Sequence, residues 1–540
     1  MDLDADRIYP ARVVVDSGRI AEIREISGNF STFLAPGFVD AHVHIESSLL
    51  IPTEFARLAV RQGTIATVSD PHEIANVLGM EGVEFMLRNA ARTPFHFFFG
   101  APSCVPATPF ETAGAALGPA EVETLLSRPD ILYLSEMMNF PGVVNGDPEV
   151  MAKLELARRF GKPVDGHAPG LRGEALAKYV AAGIRNDHEC YTLDEAREKR
   201  SHGMVIAIRE GSAARNFAAL EALLHEDPEH CLFCTDDMHL DNLERGHINR
   251  LVARAVAGGV EPLTALKVGS TQTIEHYHLP VGRLRVGDAA DFIELEDLQG
   301  FRVLRTFIGG AVVSSDGDSR LPSLPEEPVN QWNPGKVTEE LLRIPAGEGL
   351  VRVIQALDQQ LVTGCERKTP TVCHGEVVTD VERDILKLVV QNRYEETAVP
   401  AVALVRGFGL REGAMASSVG HDSHNILAVG VDDCSLVLAM DILREKGGGL
   451  VTVDGQGDAR VFPLPVGGLM THEEAFGAVR AYKEVEARAR ELGSTLTAPF
   501  MTLSFMALLV IPELKLSDKG LFDGKAFSFV PLFDSSGESA

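Results

Sequence analysis

Between residues 33 and 240 the chain repeats one unit, a short β-rich run followed by a helical stretch. The runs fall at 34–44, 64–70, 95–103, 131–137, 163–169, 184–190, 204–211 and 231–237, eight in all. Strands that alternate with helices pair in parallel, because each helix carries the chain back to the same end of the sheet. Eight such units come close to the ~250 residues over which a parallel sheet closes on itself. The expectation is an α/β fold built on a (β/α)₈ barrel. A closed barrel gathers its functional side chains at the C-terminal ends of its strands, so chemistry is sought there.

The first run ends in Asp40-Ala41-His42-Val43-His44, which sets two imidazoles two residues apart and therefore on one face of a strand. Such a pair alone is weak evidence for a metal. Its company raises the odds: the fourth run ends in Glu136, the fifth in His167, the sixth in His188 and the eighth in Asp236 followed by Asp237. On a barrel these groups converge on one mouth. Imidazole and carboxylate without thiolate suit first-row divalent ions. The set exceeds the needs of one ion, which points to two metals, a bridging carboxylate and a shared water whose pKa is lowered towards neutrality. A carboxylate on the eighth strand would take the proton of that water. Asp236 is the choice for this base, with Asp237 as the alternate because facing alternates along a strand.

Outside the barrel, residues 12–26 form two β-rich runs broken at Asp16-Ser17-Gly18, a hairpin signal. A second β-rich segment follows at 281–298. Pairing the two builds a small flanking β-sandwich from residues 1–32 and 281–325 around a barrel of residues 33–280. Within and after the barrel, helices are expected at 149–160, 173–182, 243–257 and 261–274. A Pro-, Ser- and Asp-rich linker covers 315–336. An additional C-terminal α+β domain then occupies 337–540, with strands at 350–354, 398–405 and 435–439 and a helix at 472–492.

Lys and Arg number 50 against 77 Asp and Glu, a formal charge of -27. That surface repels phosphate backbones and anionic membranes, so no nucleic acid polymer and no membrane is expected as a partner. A neutral or weakly basic small molecule fits better. The acidic N-terminus lacks the apolar core of a signal peptide, and the apolar stretch 501–511 is shorter than the ~20 residues of a membrane helix, so a soluble cytoplasmic protein is expected. Seven scattered cysteines make no disulfide framework. Cys231 and Cys234, the one close pair, are expected to line a buried strand.

The motifs PGFVDAHVHIESS and GRLRVGDAADF, with the strand-end residues above, resemble the amidohydrolase superfamily over roughly the first 300 residues. Within it the chain is similar to the microbial adenine deaminases, through DPHEIANVLG at 70–79, SEMMNFPGV at 135–143, DGHAPG at 165–170, DHEC at 187–190 and CTDD at 234–237. GHDSHN at 420–425, PVGGLM at 465–470 and IPELKLSDKGLFD at 511–523 extend the similarity to that family's C-terminal domain. The stretch before Arg12 is shorter than in the family, where an extra strand usually precedes it. The resemblance implies His42, His44, Glu136, His167, His188 and Asp236 as ligands of two divalent metals, manganese or ferrous iron, with zinc open and Glu136 bridging. It also implies hydrolytic deamination of adenine to hypoxanthine and ammonia, as in purine salvage.

Glu189, Glu73 and His72 are candidates for binding or protonating the purine ring, or for supporting roles around the metals. His421 and His424 either reach the barrel mouth or flank a hydrogen-bonded turn. The cytidine-type zinc signature is absent, and Asn76 stands where a zincin helix needs histidine. Two other readings remain at this level: a related barrel hydrolase acting on another purine or a cyclic amide, and a catalytically silent scaffold. The sequence does not fix the oligomeric state, and a homodimer is among the assemblies open to it.

Overall fold

The computed structural model describes residues 1–534. Strands β1 (Ala11–Asp16) and β2 (Arg19–Glu25) form an antiparallel hairpin. Its two-residue turn holds Ser17 at φ 49° and Gly18 at φ 77°, the positive values that match a tight turn to the twist of its strands.

The run expected as one strand at 34–44 divides in two. Strand β3 (Phe33–Pro36) belongs to the flanking layer, and β4 (Phe38–Val43) opens the barrel. Gly37 stands at the crossing, where a Cβ would lie 2.5 Å from Cγ1 of Ile65, so a side chain has no room where the two sheets approach.

The barrel continues through β5 (Thr64–Ser69), β6 (His96–Ala101), β7 (Ile131–Met137), β8 (Val164–Gly166), β9 (Asn186–Asp187), β10 (Val205–Arg209) and β11 (Cys231–Cys234), each at an expected run. Strands β4 to β8 pair in parallel in sequence order, and so do β9 to β11. Two seams join the sets. At one, Gly166 N–H donates to Asn186 Oδ1 and Ala168 N–H to Asp187 Oδ1, both at 2.8 Å. At the other, Val43 pairs with Asp236, through Asp236 N–H to His42 O at 2.9 Å and His44 N–H to Asp236 O at 3.1 Å. The first and last strand ends are thereby locked together at the point where the histidines emerge. Cys231 and Cys234 are buried on β11, in different apolar clusters, as expected for thiols on a core strand.

The flanking layer adds β12 (Phe292–Leu295), β13 (Val303–Ile308), β14 (Ala311–Ser315) and β15 (Asp318–Ser319), all antiparallel, with β3 on the β12 edge. The hairpin packs on it through Ile20 against Leu284, Ala290 and Phe292.

The C-terminal region is built on a nine-stranded mixed sheet that includes Leu350–Gln355, Leu386–Gln391 and Ala401–Arg406. The strand expected at 435–439 is instead the start of the helix Asp433–Lys446. The Asp432 carboxylate caps it by accepting from Ser435 N–H at 2.8 Å, and Leu436, Ala439, Met440 and Leu443 form a helical stripe buried against the sheet. The helix at Ala475–Glu491 is as expected. The helices expected at 243–257 and 261–274 are each broken, at Gly246 and at Gly269-Ser270. Among the described residues, no helix is long and apolar enough to cross a membrane.

Candidate active site

The alternation of β4 puts Asp40, His42 and His44 on one side of the strand, and the three do different things. Asp40 joins the barrel's first and last strands: it accepts from Thr235 N–H at 3.1 Å and from the Thr235 hydroxyl, and faces His247 Nε2 at 2.9 Å. His42 and His44 point into the mouth, their Nε2 atoms 3.3 Å apart.

His44 Nδ1 lies 3.0 Å from the Asp70 carbonyl oxygen, which can only accept, so this nitrogen carries a proton and Nε2 is the ring atom turned to the cluster. That atom faces Asp236 Oδ1 at 3.1 Å and Glu136 Oε1 at 3.2 Å. His42 Nε2 lies 3.3 Å from the same Asp236 oxygen. Glu136 spans the cluster: its other oxygen lies 2.6 Å from His167 Nδ1 and 3.3 Å from His188 Nε2. Imidazole nitrogens and carboxylate oxygens crowded in this way form a donor set that a cation fits. The separations of 3.1 and 3.3 Å match the roughly 3.0–3.5 Å expected between ligand atoms each held about 2.1 Å from one ion. The donor set therefore fits divalent metal, and two triads of it, His42 with His44 and Asp236 and His42 with Glu136 and His188, draw together within ligating distance.

All six of these residues are buried, at 3 to 8 % exposure. Burial alone would raise the Glu136 pKa, but His167, His188 and His44 outweigh it and hold the carboxyl well below its usual range. Asp236 is likewise held low against burial, by Arg209 and then by His42 and His44. Burial, reinforced by the charge of His188, lowers His42 and favours the neutral form in which imidazole ligates.

The remaining candidates surround this cluster. His72 Nδ1 lies 3.0 Å from Asp70 Oδ2 and 3.5 Å from Glu136 Oε1. Glu73 receives two histidines from the C-terminal region, His421 Nδ1 on one oxygen and His424 Nε2 on the other, each at 2.5 Å. The GHDSHN loop thus reaches the barrel mouth. Glu189 lies 3.6 Å from His188 Nε2 and is held by the Arg209 guanidinium, which also grips Asp236 Oδ2. Asp237 accepts from the Ser47 hydroxyl at 2.5 Å and lines the same pocket as Asp236.

Sequence reasoning missed Asp40, Asp70, Arg209 and the outer wall of the pocket. Asp40 had a readable signal, its two-residue offset from His42. The outer wall comes from the C-terminal region, as Leu361, Phe505, Leu508, Val510 and Ile511.

A parallel barrel whose strand ends assemble a donor set that fits divalent metal is an architecture of metal-dependent barrel enzymes. The family model of the amidohydrolase family matches residues 33–313, and that of the adenine deaminase C-terminal domain matches residues 360–528. The adenine deaminase of Salinibacter ruber is 52% identical over 99% of this chain and 98% of its own length. That of Sulfurovum sp. is 51% identical over 98% of each, and that of Methanosarcina acetivorans 48% identical over 99% of this chain and 98% of its own. The chain belongs to the amidohydrolase family and, within it, to the adenine deaminases.

Proposed function

We propose that the protein converts adenine and water into hypoxanthine and ammonia. The reaction class rests on one observation above others: six buried ligating side chains from five strand ends converge around the carboxylates of Glu136 and Asp236. The substrate is supported by relatives of that name aligned along nearly the whole chain.

In this reading His42, His44 and Asp236 would hold one divalent ion and His167 and His188 a second, with Glu136 available to both. Manganese or ferrous iron suits donors that lack thiolate. A bound pair of this kind makes hydroxide available near neutral pH. The chain's own groups then govern the protons. Asp236, kept ionised by Arg209 and the two histidines, takes the proton of the attacking water and returns it to the departing amino group. Asp236 is preferred to Asp237 because its Oδ1 lies 3.3 Å and 3.1 Å from Nε2 of His42 and His44. Attack at the amino-bearing ring carbon also requires a proton on the adjacent ring nitrogen. Glu189, 3.9 Å from His167 Nδ1, serves this edge of the ring, and His72, Glu73 and His421 line the same pocket. The apolar outer wall excludes bulk water, which strengthens every charge interaction inside.

The parts divide the work: residues 33–280 carry the metal ligands, residues 337–540 the outer wall, and residues 1–32 with 281–325 the flanking β-layer. A cytoplasmic setting suits a chain whose seven cysteines are all free thiols.

The test is an assay of metal-replete protein with adenine, following loss of adenine absorbance together with ammonia release. Both are expected in equal amounts. Hydrolysis of a cyclic amide without any turnover of adenine would move the protein to another activity in the same family.

A further inference from the structure

The pocket has two unlike sides. The barrel side presents histidines and carboxylates, and the outer side presents Leu361, Phe505, Leu508, Val510 and Ile511. A flat heteroaromatic ring suits such a slot, with a few polar groups fixing its orientation.

Most carboxylates in the wall are already engaged. Glu73 accepts from His421 and His424, Glu189 and Asp236 accept from Arg209, and Asp237 accepts from Ser47. Asp422 differs. It is buried at 4 % exposure and lines the pocket, yet its Oδ2 has no hydrogen-bond partner among the described residues. Its Oδ1 lies 3.9 Å from His421 Nδ1, beyond hydrogen-bond reach.

The loop that carries Asp422 is pinned on both sides. Arg393, fully buried, donates to the His424 carbonyl at 3.1 Å, and the Tyr394 hydroxyl donates to the Ser423 carbonyl at 2.6 Å. Asn425 Nδ2 donates to the Thr112 carbonyl at 2.9 Å, tying the loop to the barrel. An unsatisfied buried acceptor is unfavourable, and a pinned loop gives it little freedom to find a donor within the protein. The donor then has to arrive with the ligand.

Position narrows which ligand atom that is. The ligating atoms of Asp422, His72 and Glu73 lie within 4.8 Å of one another, and His72 Nδ1 is 3.5 Å from Glu136 Oε1. Asp422 thus stands one side chain beyond the candidate metal ligands, where a purine bound with its amino-bearing carbon over them would bring its far end. At that end the free base carries an N–H on its imidazole ring. A nucleoside carries a sugar there instead.

We propose that Asp422 accepts the imidazole-ring N–H of the purine and so makes the site select the free base over N9-substituted purines. This assignment rests on adenine as the substrate. Asp422 acts here as a binding and specificity residue, with no part in the proton transfers at the reacting carbon.

Steady-state kinetics on the metal-replete enzyme test it, with adenine and 9-methyladenine as paired substrates for the wild type, Asp422→Asn and Asp422→Ala. The wild type is expected to favour adenine by at least about 100-fold in kcat/KM, since a site built to bond an N–H rejects the analogue that lacks it. Asp422→Ala is expected to raise the KM for adenine about 10- to 100-fold, the value of a charge-assisted hydrogen bond, with the loss falling chiefly on KM, and to narrow the preference. Asp422→Asn, which keeps an acceptor oxygen, should fall between. A wild type that processes 9-methyladenine as well as adenine overturns the assignment without any variant. A folded Asp422→Ala enzyme with wild-type metal content, KM and preference overturns it too. Failure of the wild type to turn over adenine overturns the substrate and this assignment together, whereas lost preference with adenine turnover intact overturns this assignment alone.

Discussion

His44 shows how far the chemistry depends on which ring nitrogen holds the proton. With Nδ1–H committed to the Asp70 carbonyl, Nε2 is the atom set between Glu136 and Asp236, where it would ligate a metal in its deprotonated form. Asp236 is the residue where this geometry meets the proton transfers. Asp236→Asn keeps the shape and removes the base, so kcat for adenine should fall about 10²- to 10⁴-fold. Metal content measured on the same sample separates loss of the base from loss of an ion, and undiminished turnover would remove Asp236 from its role. That His42, His44, Glu136, His167, His188 and Asp236 meet at one mouth was legible in the sequence because each stands where a β-rich run ends. Arg209 and Asp422 were not. In MVIAIREG the arginine looks like the polar end of a strand, and only the closure of the barrel sets it between Glu189 and Asp236. Asp422 gains meaning from a pocket that its own segment reaches across more than three hundred residues of chain.

Among elements, the eight barrel strands were readable because period, turn residues and helix spacing agree over a long stretch, and short-range ambiguity averages out. Single elements judged on a few residues did less well. The run at 435–439 has β-type composition, but the cap at Asp432 and a buried stripe spaced by three and four residues make it helix. The split of the first run at Gly37 was hidden for another reason: LAPGFVDAHVH is extended on both sides of the crossing, and only the approach of Ile65 reveals it. Gly37→Ala would set its Cβ 2.5 Å from one Ile65 carbon and 2.6 Å from two others. Overpacking of this kind is expected to destabilise the protein by about 1–3 kcal/mol, read as a lower urea midpoint at unchanged slope. A midpoint equal to wild type would mean that Ile65 can move aside, and that glycine is not required there.

At the scale of the molecule, the barrel supplies the reactive groups and the C-terminal region closes the site over them, so the outer wall depends on how that region holds its own chain. Lys515 is central to this. It is fully buried, its Nζ donates to the carbonyls of Leu361 at 2.7 Å and Phe505 at 2.9 Å, and both of those residues face the pocket. Burial brings its pKa down from 10.5 to about 7. Between those values the unfolded chain binds a proton that the folded chain does not, so stability contributed at this position rises with pH across the window and is lost as pH falls towards 7. Lys515→Met has similar volume and no titration. The stability of wild type relative to this variant should therefore climb between pH 7 and pH 9, by up to ~1.4 kcal/mol per pH unit, in paired urea titrations. Parallel curves for the two proteins would show that the amine stays protonated in the fold, held charged by its two carbonyl acceptors.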